Sequence, residues 1–296
     1  MRVLFDDDVR SRLDAADAVA AARRALVDAY RGLLAAPPRL RADFGENALV
    51  FTAGGYGDGP VGFRVYGLWP DGSDQAVLVW EGSGTLAGCV VGRELGARRT
   101  GALGGAAVAA LAREHATSVG IVGTGSQAWT QLWAIATVRR LTDVRVFSPT
   151  REHREAFARR AEAELGLQAG SCDTAEEAVT DADLVVLATR SEQPVIEAAW
   201  IRSGTHVNTV GPKLASAHET PVELAEVADA VVSDSPEQAA AYGEPFFTRR
   251  TLAHLGAVIA GDQPGRTGEN DTTLYCSTGL AGSEVVLAHV LLAAVD

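Results

Sequence analysis

The chain has 296 residues, 47% of them hydrophobic and 22% charged, with a net charge of −12, an ordinary globular balance long enough for two domains or one large one. The negative charge argues against a nucleic-acid partner and leaves any anionic ligand to local arginine clusters. Cys89, Cys172 and Cys276 are odd in number, with no C-x-x-C, so neither a disulfide framework nor a metal site is indicated.

The start M-R-V-L-F-D-D-D has no apolar signal core and no run reaches transmembrane length; the expectation is a cytoplasmic protein with no membrane partner. Asp14 to Leu34 predicts a helix, capped by Asp14, with Val19, Ala22, Leu26, Ala29 and Leu33 at helical spacing and Pro37-Pro38 as its stop. Four short β-prone runs follow, 48–53, 62–68, 76–80 and 86–91, split by glycine-rich turns, and predict an antiparallel or mixed sheet. Glu94 to Arg113 predicts a helix whose face from Gly101 to Ala110 is small enough for close packing.

Next comes S-V-G-I-V-G-T-G-S-Q-A at Ser118 to Ala128. An apolar strand, a turn with Gly123 and Gly125, and a helix over 128–141 form the layout that places a helix N-terminus under a pyrophosphate. The pattern is G-x-G-x-x-A, weak when alone and strengthened by its flanks. Strands are then predicted at 144–147, 184–188, 206–210 and 230–233. They alternate with helices at 152–165, 175–179, 236–242 and 251–259, and a last helix runs over 279–294. Such alternation implies a doubly wound parallel sheet.

Several stretches carry candidate chemistry. The second strand of the unit ends in Ser148-Pro149-Thr150-Arg151, where an NAD-binding chain places an acid. Ser148, Thr150 and Arg151 suit a 2′-phosphate, which favours NADP(H) over NAD(H); a helix cap with a solvated arginine is the plainer alternative. Arg98-Arg99-Thr100 suits an anion or a solvated helix face. Arg64, in G-F-R-V-Y-G, lies on the strand face opposite Phe63 and Val65 and is either an edge residue or a carboxylate clamp. Lys213 is the only lysine among 26 basic residues. It follows a parallel strand at the crevice end, where a lysine orients a carboxylate or donates a proton. His206 reads as structural, and His218 as a proton relay at most.

Together R-R-T-G-A at 98–102, G-T-G-S-Q-A at 123–128, V-N-T-V-G at 207–211, Y-G-E at 242–244 and S-T-G-L-A at 277–281 resemble the ornithine cyclodeaminase and mu-crystallin family over nearly the whole chain. The resemblance implies a homodimer in which residues 1–113 plus 277–296 form a smaller α+β substrate-binding and dimerisation domain. A Rossmann-type dinucleotide-binding domain, 114–276, is inserted in it. It further implies cofactor contacts at Arg99, Thr100, Ser277 and Gly279, which join Gly123, Thr124, Gly125, Ser126, Gln127, Ser148, Thr150, Arg151, Thr189, Val210 and Gly211 in the expected cofactor set. The small carboxylate-bearing substrate is expected on Arg39, Arg64 and Arg99.

Two positions depart from the family pattern. Arg64 stands where the family has a proton-donating lysine, and Lys213 where cyclodeaminases have an aspartate that binds the substrate amine. Arginine stays charged and is a poor acid, and lysine repels an ammonium. The expected catalytic pair is therefore Lys213 as acid with Arg64 as a second clamp. The expected activity is reduction of an amino-acid-derived imine or 2-keto acid. A cyclodeaminase with catalytic NAD, and a protein that holds NADPH and a ligand without turnover, are the alternatives.

Overall fold

The computed structural model describes residues 2–69, 72–241, 243–247 and 251–294. The chain opens with β1 (Arg2–Leu4), α1 (Asp6–Arg12), α2 (Ala15–Tyr30), β2 (Leu34–Ala35), β3 (Leu40–Phe44), β4 (Asn47–Tyr56), β5 (Val61–Leu68), β6 (Gln75–Trp80), β7 (Leu86–Val91) and α3 (Glu94–Leu111). Asp14 caps α2, its carboxylate accepting from the Ala16 and Asp17 N–H groups. The helix ends well before the prolines. Gly32 takes a left-handed φ of 71°, the Leu33 N–H closes on the Asp28 carbonyl, and Leu34–Ala35 pairs with β4 instead. Periodicity also misses α1, a two-turn helix with only Val9 buried. Asp6 in α1 accepts from the Glu94 N–H at 2.8 Å and so caps α3 from a distance.

These strands form a sheet in the order β1-β7-β6-β5-β4-β2, with β3 also on β4. β1 runs parallel to β7 and the other pairs are antiparallel. Alternation buries Val50, Thr52, Arg64, Val77, Val79 and Val90 on one face.

The second half supplies β8 (Ser118–Val122), α4 (Ser126–Val138), β9 (Asp143–Phe147), α5 (Arg151–Leu165), β10 (Ala169–Ser171), α6 (Ala175–Val179), β11 (Leu184–Leu187), β12 (His206–Thr209), β13 (Lys213–Leu214), β14 (Ala217–His218), α7 (Val222–Val227), β15 (Ala230–Ser233), α8 (Pro236–Ala241), β16 (Ala253–His254), α9 (Leu255–Ala260), β17 (Thr273–Cys276) and α10 (Ser283–Ala293). The sheet order is β10-β9-β8-β11-β12-β17-β15-β16, parallel at every pairing. The order reverses beside β8, so the crevice at its C-terminal end is the topological switch point. The fold is α/β, with a Rossmann-type parallel sheet and a separate mixed sheet.

Two further helices begin after their expected starts. α9 starts at Leu255 because the His254 ring caps it, accepting from the Gly256 N–H at 2.9 Å. α10 starts at Ser283 because Gly279 and Gly282 hold φ values of 89° and 79°. The expected end of α8 and the first residue of the Y-G-E stretch, both Tyr242, lie outside the described residues. His206 is buried in the parallel sheet, bonded to Thr273 and Asn208, and burial drives its pKa down to about 3.

α3 and α4 pack as closely as their glycines allow. A Cβ at Gly101 would meet the Thr130 carbonyl, and one at Gly104 the Gln131 side chain. Gln131 Nε2 donates to the Thr100 carbonyl at 3.0 Å, and its Oε1 accepts from Asn208 at 2.9 Å. The small-residue face thus pins Arg99 and Thr100 beside the C-terminal ends of the parallel strands. α10 returns to the mixed sheet, packing on α2, α3 and β4 to β7.

Candidate functional site

Two openings meet at the switch point. The larger, about 1060 Å³, is a groove walled by Gly123, Thr124, Gly125, Ser126, Gln127, Ser148, Thr189, Val210 and Gly211, with His153, Arg160 and Arg190. Gly123 holds φ 113°, and its N–H donates to the Phe147 carbonyl at 2.9 Å. A Cβ there would strike the Ala188 carbonyl, whereas one at Gly125 would stand in open space. Gly125 precedes α4 with no side-chain cap, and the first turn carries no acid. Free N–H groups at the start of a helix, beside bare glycine backbone, fit a dinucleotide pyrophosphate. No Asp or Glu lines this groove among the described residues.

The smaller cavity, about 370 Å³, is lined by Arg39, Arg99, Thr100, Lys213, Ser277, Thr278 and Gly279 on its polar side, and by Leu214, Ala239, Pro245 and Phe247 on its apolar side. Gln127, Val210 and Gly211 belong to both openings. Arg39 Nη2 donates to the Thr278 carbonyl at 2.8 Å. Lys213 is half-buried, with Nζ donating to the Gly211 carbonyl. Burial pushes its ammonium pKa down, against the pull of Glu219. No carboxylate lines the cavity among the described residues.

The sequence-derived candidates separate into two groups. Arg39, Arg99, Thr100, Lys213, Ser277 and Gly279 come together at the smaller cavity, and Gly123 through Gln127, Ser148, Thr189, Val210 and Gly211 at the groove. Three others line neither opening. Thr150 is the residue before α5 and makes no side-chain capping bond. Arg151 is exposed and pairs with Glu155 one helical turn on, at 2.6 Å. Arg64 is buried behind the cavity, its Nη1 on Glu284 at 2.8 Å and its guanidinium 4.4 Å from the Tyr66 ring centroid. Two residues weighed in the sequence also turn away. Arg98 donates to the Leu13 carbonyl and lies over Trp133, and His218 stacks on Phe246 with Nδ1 at the Thr220 carbonyl.

Three buried acids that sequence reasoning missed shape the site from behind. Glu219 Oε1 accepts from the Thr209 hydroxyl and the Val210 and Gly211 N–H groups. Its Oε2 accepts from the N–H and hydroxyl of Thr189. Asp234 takes the Tyr275 hydroxyl, the N–H and hydroxyl of Thr278 and the Gly279 N–H, which fixes the 277–279 turn. Glu284 takes both Arg64 and Arg99, and these arginines hold its carboxyl down to about 2 against burial. Acids inside otherwise apolar stretches, V-V-S-D-S and A-G-S-E-V-V, are the signal that could have found the last two.

Comparison with known proteins places this geometry in context. An alanine dehydrogenase of Archaeoglobus fulgidus is 35% identical over 201 residues, spanning 65% of this chain and 61% of the relative's own length. The Thermococcus litoralis Δ1-pyrroline-2-carboxylate reductase, solved with NADH and L-proline, superposes with a TM-score of 0.89 at 25% identity, over 99% of this chain and 97% of that one. An archaeal alanine dehydrogenase dimer with bound NAD gives a TM-score of 0.88 at 26% identity, over 98% and 94%. The sequence pattern described as the ornithine cyclodeaminase/mu-crystallin family matches residues 3–295, and the chain belongs to that family.

Proposed function

We propose that the protein is an NAD(P)H-dependent reductase that acts at the α-carbon of a small carboxylate-bearing imine or 2-keto acid. One observation carries the reading. A cavity walled by Arg39, Arg99 and Lys213 opens through Gln127, Val210 and Gly211 onto a groove built for a dinucleotide. Reduced nicotinamide, when bound in the groove, supplies the hydride. Arg39 and Arg99 hold the substrate carboxylate. Lys213, its pKa lowered by burial, gives the proton to the imine nitrogen or keto oxygen. The solved reductase and dehydrogenase relatives, with NADH and L-proline and with NAD, support this reading. Cyclodeamination of a diamino acid fits less well, because among the described residues no carboxylate on the cavity wall receives a distal ammonium.

NADP(H) is favoured over NAD(H). Ser148 sits at the groove with His153 and Arg160, and among the described residues no acid there repels a 2′-phosphate. The test is loss of reduced-cofactor absorbance with pyrroline-2-carboxylate. NADPH is expected to be oxidised at a higher kcat/KM than NADH. Oxidation of neither, with this substrate or with pyruvate, removes the reductase reading. A preference for NADH removes the 2′-phosphate argument alone.

A homodimer is part of the same reading. The outer face of the mixed sheet presents Leu40, Phe44, Leu49, Phe51, Phe63, Val65, Leu78 and Trp80, with Leu40 67% and Phe44 59% exposed. Phe63 and Trp80 stack on it. An apolar face of this kind suits a second copy of the chain. Sedimentation at micromolar concentration is expected to give a dimer, and Leu78→Asp a folded monomer; a wild-type monomer would overturn the assignment.

A further inference from the structure

We propose that Glu284 is a positioning residue: backed by Arg64, it fixes the Arg99 guanidinium in the orientation that receives the substrate carboxylate. The inference rests on the reading that the smaller cavity takes a carboxylate.

The arrangement is a chain of charges running inward from the cavity. Arg99 lines the cavity, and its Nη2 meets Glu284 Oε1 at 2.5 Å. The same oxygen accepts from Arg64 Nη1 at 2.8 Å. Arg64 is itself fixed on three sides. Gln75 Oε1 accepts from its Nε at 3.1 Å and its Nη2 at 2.6 Å, and the Tyr66 ring lies against its guanidinium. Glu284 sits in the first turn of α10, where the helix dipole favours an anion. The side chains of Arg64, Glu284 and Arg99 are 11%, 2% and 5% exposed, so the three are largely shielded from bulk water. The rear of Arg99 is therefore anchored to a rigid assembly that spans the mixed sheet and the last helix.

The front of Arg99 is left for a ligand. Its Nε is buried with no hydrogen-bond partner, and its Nη1 faces the bare backbone of Gly279, where a Cβ would come within 3.2 Å. Gly279 itself is held by Asp234. The unmet Nε–H is a cost that the contact with Glu284 does not offset. Arg64 does not reach the cavity, so its contribution to substrate binding passes through Glu284.

A different role for Glu284 makes the opposite forecast. If the carboxylate merely neutralised Arg99 and competed with substrate for it, its removal would free the guanidinium and tighten binding. If it positions Arg99, its removal leaves two buried cations facing each other, and the Arg99 side chain leaves its place. A displacement of about 1 Å at a clamp of this kind costs on the order of a hundredfold.

The experiment is Glu284→Gln, with pyrrole-2-carboxylate titrated calorimetrically into protein saturated with NADPH, and KM and kcat measured for pyrroline-2-carboxylate. The inference expects the dissociation constant and KM to rise on the order of a hundredfold and kcat to fall much less. Tighter or unchanged carboxylate binding overturns it. Should Glu284→Gln fail to fold, Gln75→Met loosens Arg64 from outside, and a smaller rise in the same constants is expected; none overturns the inference. Wild-type protein that binds pyrrole-2-carboxylate but turns over neither pyrroline-2-carboxylate nor pyruvate defeats the reductase reading and leaves the role of Glu284 to the titration. Wild-type protein that binds no carboxylate defeats the inference.

Discussion

Lys213→Ala is expected to lower kcat by about 10²–10⁴, the usual worth of a placed general acid, with a smaller change in KM. The pH profile makes the result specific. A donor must be protonated to act, so the wild-type rate falls as pH rises through the Lys213 pKa. Burial lowers that pKa, which brings the falling limb below the range of a free lysine. In Lys213→Ala the limb should vanish while the residual rate stays flat over the same range. A variant that keeps the wild-type rate and the alkaline limb would remove Lys213 from the chemistry. Loss confined to KM would make it a binding residue only.

Glu219→Leu is expected to disturb both openings at once. The carboxylate accepts from Thr189, Thr209, Val210 and Gly211 and is wholly buried. Leucine fills the volume and leaves those donors with nothing to meet. Unmet buried donors cost about 1–3 kcal/mol each; allowing for relaxation, a loss of at least about 3 kcal/mol is expected. That corresponds to a fall of roughly 6–12 °C in Tm. Because Val210 and Gly211 wall both openings, kcat/KM should fall on the order of a hundredfold and cofactor affinity should weaken with it. Calorimetric melting and a cofactor titration check the two halves. Glu219→Leu with wild-type Tm and rate would show that the loop holds itself.

How much of this can be read in the sequence depends on how local the cause is. The strand, glycine turn and helix at 118–138 are legible because each rests on neighbours in the chain: an apolar run, a turn that needs φ 113° at Gly123, and a helix start. The two sheets are legible for the same reason. Arg64 shows the limit. Strand alternation puts it on the correct inner face, but its partner Glu284 lies 220 residues away, and no local pattern signals that the charge is already taken. Arg151 shows the opposite case. Its place after the second strand is local and correct, yet a glutamate one turn along holds its side chain. Helix ends move for equally physical reasons: left-handed glycines and a capping histidine override the proline and hydrophobic cues.

The single lysine has a further consequence. The cations elsewhere in the chain are guanidinium groups, many of them tied to acids one turn away on exposed helices. Apart from the terminal amine, the only primary amine in the protein stands in the wall of the smaller cavity. Acylating reagents, aldehydes and amine-directed crosslinkers thus have almost no purchase on the exterior. Among side chains, chemistry that is indiscriminate on most proteins becomes, on this one, addressed to the wall of a single cavity.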